Sequence, residues 1–212
     1  MQTKSQSRRR CKKGMEGHLF HMPIRWMLKW VTSALLVACM LGAPVLSWAS
    51  SRLPWVEVDT RMLTLTVFSA ENQILARFTN ISIGSGGTAE IHRRGDETTP
   101  LGVYRIAWID RQSRFGTFYG IDYPSAEIAR RAHAEGIISL RERNSILTAL
   151  QHHRIPPSHT PLGGRLGIHG LGRGDPDIHK TVNWTNGCVA LSNPQIRQLT
   201  RWMHIGTRVV IR

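Results

Sequence analysis

Cysteine is scarce in this 212-residue chain, occurring only as Cys11, Cys39 and Cys188. The first two fall in a segment that reads as a leader. An exported body would keep Cys188 alone, and one thiol excludes an internal disulfide. A long apolar run is also missing. The stretch from Val31 to Leu46 has 16 residues and is interrupted by Thr32, Ser33, Gly42 and Pro44, short of the about 20 that a spanning helix wants. There are no internal repeats and no low-complexity tract. Acidic residues are few, 14 against 28 Lys and Arg, for a net charge of +14. Residues 1–49 hold eight of the bases and one acid, Glu16, which leaves 20 and 13 in the remainder and a net of +7 there. A basic body suits an anionic polymer: nucleic acid, anionic lipid or cell wall. No aromatic-plus-basic nucleic-acid motif accompanies the charge. The ten histidines, among them His152, His153 and His159, match no metal-ligand spacing, so no metal site is expected.

The N-terminus has the order of an export signal. A basic stretch ends at Lys29, the apolar run follows, and Ser47-Trp48-Ala49 places small residues where a signal peptidase needs them. The expectation is a leader over residues 1–49, cut after Ala49, and a body over residues 50–212. An uncleaved inner-membrane anchor is one alternative, with transient membrane contact through this segment. A lipoprotein start at Cys39 is another, because Leu36-Val37-Ala38-Cys39 resembles a lipobox. Export to the periplasm or cell envelope removes the protein from nucleic acid.

The body alternates with period two from Trp55 to Ile83 and again from Gly102 to Ile109, which predicts half-buried strands. Ser69 to Asn72 reads as a turn, Gly84 to Gly87 as a break, and His92 to Pro100 as a polar loop. Two helices are expected in the middle. One runs from Ser125 to Glu135 with Gly136 as a stop. The other runs from Ser139 to His152, with Ser139 and Glu142 forming a capping box and Leu140, Ile146, Leu147 and Leu150 forming a buried stripe. Residues 165–168 read as a short strand leading into His169. A helix from Asn193 through Trp202 and a last strand from Thr207 to Ile211 complete the chain.

Cys188 sits in Thr185-Asn186-Gly187-Cys188-Val189, 19 positions after the histidine of Ile168-His169-Gly170. A free thiol is mostly protonated at neutral pH, and a nearby imidazole can take its proton. The segments carrying His169 and Cys188 are expected side by side, with Gly187 allowing a turn that other residues resist. The amides of Gly187 and Cys188 would face a developing oxyanion, and Thr185 would bond the thiol or the loop backbone. A third group, a backbone carbonyl for instance, would fix the tautomer of His169. The competing reading is a buried, inert cysteine. Fast alkylation at neutral pH would mark an accessible thiolate and separate the two.

These residues carry a resemblance. His169-Gly170 followed by Thr185-Asn186-Gly187-Cys188 resembles the signature of the L,D-transpeptidase (YkuD-type) catalytic domain, and Gly95-Asp96-Glu97-Thr98-Thr99-Pro100-Leu101-Gly102-Val103-Tyr104 is similar to another segment of that family. The likeness covers about residues 56–212. It implies a mainly β fold with inserted helices, a sandwich or barrel-like body acting in the bacterial envelope. It also implies an attack by Cys188 on peptidoglycan stem peptides, a thioester, and transfer to an amine or to water. His169 would be base and then acid. Gly187 and Cys188 would serve the oxyanion, and Gly170, Thr185 and Asn186 would shape the site. No cofactor is implied.

Many members carry an arginine two residues after the cysteine, where this chain has Ala190. Trp184-Thr185-Asn186-Gly187-Cys188-Val189-Ala190 is closer to a branch of which some members act hydrolytically. Arg173, Lys180 or Arg94 would then supply the lost charge. Three functional readings stay open: transfer, an amidase or carboxypeptidase of the same fold, and a non-catalytic protein that binds the wall through its arginines.

Overall fold

The computed structural model describes residues 53–212. The leader, its cleavage site and Cys39 lie outside the described residues. In chain order the strands are β1 (Trp55–Asp59), β2 (Thr64–Phe68), β3 (Ile74–Thr79), β4 (Thr88–Ala89), β5 (Thr99–Pro100), β6 (Gly102–Ser113), β7 (Gly116–Ile121), β8 (Gly167–His169), β9 (Val189–Ala190) and β10 (Arg208–Ile211). Helices α1 (Ala126–Ala134) and α2 (Leu140–Gln151) lie between β7 and β8. Helix α3 (Pro176–Thr181) lies between β8 and β9, and α4 (Asn193–Leu199) between β9 and β10.

The N-terminal alternation forms sheet because it sorts side chains by face. In β1, Val56 and Val58 are fully buried while Trp55, Glu57 and Asp59 remain part-exposed. Val67 and Leu65 of β2 lie opposite them and are equally buried. The strand order is β3-β2-β1-β10-β6-β7-β8-β9. The two ends of that order meet: Ser82, just past β3, exchanges both backbone hydrogen bonds with Ala190 of β9, at 2.9 and 2.7 Å. The sheet therefore rolls towards a barrel around a core that includes Tyr104, Ile106, Tyr119, Ile121, Ile168 and Val209. Strands β4 and β5 form a separate two-stranded ladder.

The helices begin where the serines predict. Ser125 caps α1, and Gly136 ends it at φ 71°, a left-handed conformation that costs glycine little. Ser139 accepts from the Glu142 amide at 3.2 Å, and the Glu142 carboxylate accepts from the Ser139 amide at 2.8 Å, completing the box. Ser139→Ala is expected to lower stability by about 1 kcal/mol in urea unfolding.

Two expectations are corrected. Leu140 is 52 % exposed rather than part of a buried stripe. It is the first residue of α2; the helix buries Ile146, as expected, together with Ala149, and packs Leu147 and Leu150 part-buried against the core. Helix α4 stops at Leu199, not Trp202, because the amides of Arg201 and Trp202 bond three residues back, to Gln198 and Leu199. Strand β6 also runs past Ile109 to Ser113, and its partner β7 and the short helix α3 had no counterpart in the sequence reading. Among the described residues no helix is long and apolar enough to cross a membrane.

Candidate active site

His169 ends β8, and the segment carrying Cys188 runs parallel to it. Ile168 lies opposite Val189 and His169 opposite Ala190. One step back, the register sets Gly167 opposite Cys188. Side chains alternate along a strand, so His169 and Cys188 share a face as diagonal neighbours. Ideal strand spacings put their α-carbons about 8 Å apart.

The His169 ring is walled by aromatics. Phe115, at the tip of the β6–β7 hairpin, stacks on it at 4.4 Å, Phe118 at 5.7 Å, and Trp184 meets it edge-on at 6.0 Å. Phe118 is there because it is the cross-strand partner of His169. The hairpin tip fits closely because Gly170 has no side chain: a β-carbon there would come within 2.6 Å of the Phe115 carbonyl. Asn193, first residue of α4, braces the same loop by accepting from the Gly172 amide at 2.9 Å and donating to the Gly172 carbonyl at 2.8 Å.

This enclosure sets the ionisation of His169. Burial pushes its pKa below the ordinary imidazole value; a hydrogen bond to Gly170 opposes that, and nearby His179 and Arg114 add to it. The ring is therefore neutral at pH 7. Its Nδ1 lies 2.7 Å from the Gly170 carbonyl. A carbonyl only accepts, so Nδ1 carries the hydrogen and Nε2 keeps a free lone pair. The third group is thus a backbone carbonyl. Behind this wall the Trp184 indole donates to His179 Nδ1 at 3.2 Å, which orients Trp184.

The loop carrying Cys188 is tied from inside. The Thr185 hydroxyl donates to the Cys188 carbonyl at 2.6 Å and accepts from the Gly187 amide at 3.2 Å. The Gly187 amide is thus engaged within the loop rather than directed at an oxyanion. Gly187 itself is at φ 114°, and a β-carbon there would lie 2.6 Å from the Thr98 carbonyl, so only glycine fits. Thr99 links the loop to the first glycine turn, donating to the Gly187 carbonyl at 3.0 Å and accepting from the Gly84 amide at 2.9 Å. Beneath it, buried His92 donates from Nδ1 to the Thr98 carbonyl at 2.7 Å and sits 2.9 Å from Asp96. Burial works against ionisation of Asp96, but bonds from the Thr98 and Arg93 amides and the Thr98 hydroxyl hold its carboxyl below the usual range. The Gly-Asp-x-x-Thr-Pro segment is the platform on which the cysteine loop rests.

Cys188 is half-buried against the core. Desolvation pushes its thiol up to about 11, with the Gly167 amide working the other way. The resting pair is thus neutral thiol and neutral imidazole. The expectation that fast alkylation at neutral pH would mark a catalytic thiol does not suit this site. Iodoacetamide labelling of Cys188 is expected to keep rising through pH 10 without a plateau. A plateau reached below pH 8 would contradict the raised thiol.

Two clefts flank the hairpin tip, and Arg114 and Phe115 line both. One, of about 580 Å³, includes Leu171, Arg173 and Trp184; the other, of about 900 Å³, includes Trp108, Asp110, His159 and Arg165. Arg173 thus shares a cleft with Phe115 and Trp184, two of the rings against His169. Lys180 lines neither cleft; it is exposed on α3 and paired with Asp177 at 3.1 Å. Arg94 lines neither and donates to the Thr160 carbonyl at 2.7 Å. Asn186 is exposed at the loop tip, and Ala190 is fully buried. Sequence reasoning missed Arg114, Phe115 and Phe118. Thr117, Tyr119 and Ile121, spaced by two, were the available signal for their strand.

No curated protein matches the chain in sequence. Among solved structures it is similar to the helical cell shape determining protein Pgp2 from Campylobacter jejuni, at 17 % identity and TM-score 0.50 over 76 % of this chain and 47 % of that one. It is also similar to Bd1075 of Bdellovibrio bacteriovorus, at 19 % identity and TM-score 0.49 over 79 % and 50 %. An L,D-transpeptidase from Xylanimonas cellulosilytica DSM 15894 aligns at 21 % identity and TM-score 0.41 over 86 % and 69 %. The chain spans about half the length of Pgp2 and Bd1075. The model of the L,D-transpeptidase catalytic domain (YkuD) matches residues 53–211, from the approach to β1 to the end of β10, and the chain belongs to that family.

Proposed function

We propose that this protein is an exported cysteine acyltransferase of the bacterial envelope that acts on peptidoglycan stem peptides, with residues 1–49 as its leader. The observation that carries the reading is a neutral imidazole, its Nδ1–H held by the Gly170 carbonyl, on the same face of adjacent strands as the one thiol of the body. The Cys188 proton passes to His169 Nε2 as sulfur attacks the peptide carbonyl carbon. The Cys188 amide receives the oxyanion. His169 then protonates the leaving amine, and a thioester remains on Cys188. An incoming amine attacks the thioester and gives its proton to His169; as the carbon–sulfur bond breaks, His169 returns that proton to the Cys188 sulfur and the amine keeps the acyl group.

Hydrolysis, with water as acceptor, is favoured by one feature: the position of the family's frequent arginine holds Ala190, fully buried. Incubation with defined muropeptides, with and without an amine acceptor, separates the outcomes by mass spectrometry. Cross-linked product supports transfer and trimmed product alone supports hydrolysis. Unchanged muropeptides under both conditions would sink the reading.

A further inference from the structure

The larger cleft, of about 900 Å³, has a flat aromatic floor. Trp108 and Gly120 are cross-strand partners, and Gly120 pairs in turn with Gly167. Each glycine carries a ring. A β-carbon on Gly120 would lie 2.1 Å from the Trp108 indole, and one on Gly167 would lie 2.7 Å from the Phe118 ring. One face of each ring therefore rests on backbone. Trp108 and Phe118 are only half-buried and both line the cleft, so their other faces are turned to it. Their planes differ by 24° and their centroids are 6.0 Å apart, so the rings sit offset, like tiles, rather than covering each other. Phe118 continues the run to the His169 ring, at 5.7 Å and 10°. Covering strand glycines accounts for the inner faces of these rings and leaves the outer faces without a partner. The rim is polar and mixed in charge: Asp110 stands with Arg114 and Arg165, beside Ser113 and Ser158. A polyanion would meet the Asp110 carboxylate, and a wholly apolar ligand would leave the rim groups desolvated without partners.

We propose that this floor is a saccharide subsite, on which Trp108 and Phe118 stack an amino-sugar ring of the glycan strand that bears the stem peptide. The inference deepens the acyl-transfer reading and rests on it. A pyranose ring carries C–H bonds on its faces and hydroxyl and amide groups round its edge. The C–H face meets the negative face of an aromatic ring, and the edge groups need the hydrogen-bond partners that a polar rim supplies. Pro156 and Pro157, from the loop between α2 and β8, complete the cleft with stiff backbone. Trp108 stands within two ring spacings of the imidazole. An extended peptide advances about 3.4 Å per residue, so a sugar on Trp108 leaves about three residues to the carbonyl that Cys188 attacks.

Calorimetry on the Cys188→Ala protein tests this with a disaccharide tetrapeptide and the sugar-free tetrapeptide of the same sequence. The sugar-bearing ligand is expected to bind about tenfold more tightly, the scale of one well-stacked ring. Trp108→Leu still covers Gly120 but offers no flat ring, and should cut the gap to about twofold or less. Trp108→Phe should keep most of it. In the Cys188→Ala protein, with the floor intact, the Trp108 indole N–H resonance should shift on adding the disaccharide tetrapeptide and stay in place with the bare peptide. Equal affinities for the two ligands, a gap that survives Trp108→Leu, or an indole resonance blind to the sugar overturns the subsite. Carbapenem acylation of Cys188, which involves no sugar, is measured alongside in the unsubstituted protein. An adduct without sugar preference overturns the subsite alone; the absence of an adduct overturns the reading of Cys188.

Discussion

Cys188→Ala is expected to abolish thioester formation and to cut turnover of muropeptides by on the order of 10⁴-fold or more, while the fold survives. The two halves of this expectation have separate grounds. Turnover is lost because Cys188 is the single thiol among the described residues and the proposed thioester needs its sulfur. The fold survives because the side chain is small, half-buried and at the margin of the core rather than in it. Removing one sulfur there costs about 1 kcal/mol. The loop keeps its shape through the Thr185 bond to the Cys188 carbonyl and the Thr99 bond to the Gly187 carbonyl, neither of which uses the thiol. Thermal melting and muropeptide turnover, measured on the same preparation, check both halves.

His169→Ala is expected to have an effect nearly as large, with a distinctive pH dependence. With the thiol at about 11, roughly one molecule in 10⁴ carries a thiolate at pH 7. Without a base that fraction is all the variant has, so its rate should fall by about 10³- to 10⁴-fold and then climb about tenfold per pH unit above neutrality. The unsubstituted protein behaves differently. In the proposed mechanism its base is the neutral imidazole, whose pKa burial holds below the ordinary imidazole value. A lowered value keeps the base form dominant down to that lowered pKa, so activity stays level through neutral pH and falls only as pH drops through it. The double substitution should be no worse than either single one, since the two groups act as a unit. Pre-steady-state kinetics across pH 5–10 separates these cases; a His169→Ala variant with a flat profile would remove His169 from the role of base.

The parts of the site that the sequence made legible are local. Ser125 and Ser139 announce helix starts because a cap bonds its own next turn. Gly187 announces a constrained loop because its φ admits little else. That the segments carrying His169 and Cys188 lie side by side was readable because β8 and β9 are consecutive strands. What stayed hidden depends on contacts distant in sequence. Phe115 reaches His169 because the β6–β7 hairpin pairs alongside β8 and its tip turns onto the ring, and no periodicity within residues 102–121 reveals what that tip will touch. The raised thiol follows from the same cause: desolvation is a sum over neighbours, not a property of the Thr185-to-Val189 run. Leu140 misled because a spacing argument treats a helix's first residue like its middle, while the helix buries Ile146 and Ala149. Helix α3 went unread because six residues hold too little of a pattern, although Asp175-Pro176 is a serviceable start signal.

The central claim is that Cys188 becomes a nucleophile through His169. Intact-mass analysis with peptide mapping after exposure to a carbapenem tests it most directly. A single adduct of the drug's mass on the peptide containing Cys188, absent from Cys188→Ala and strongly slowed in His169→Ala, is the expected result. An unmodified protein, or an adduct that forms equally fast without His169, would contradict it.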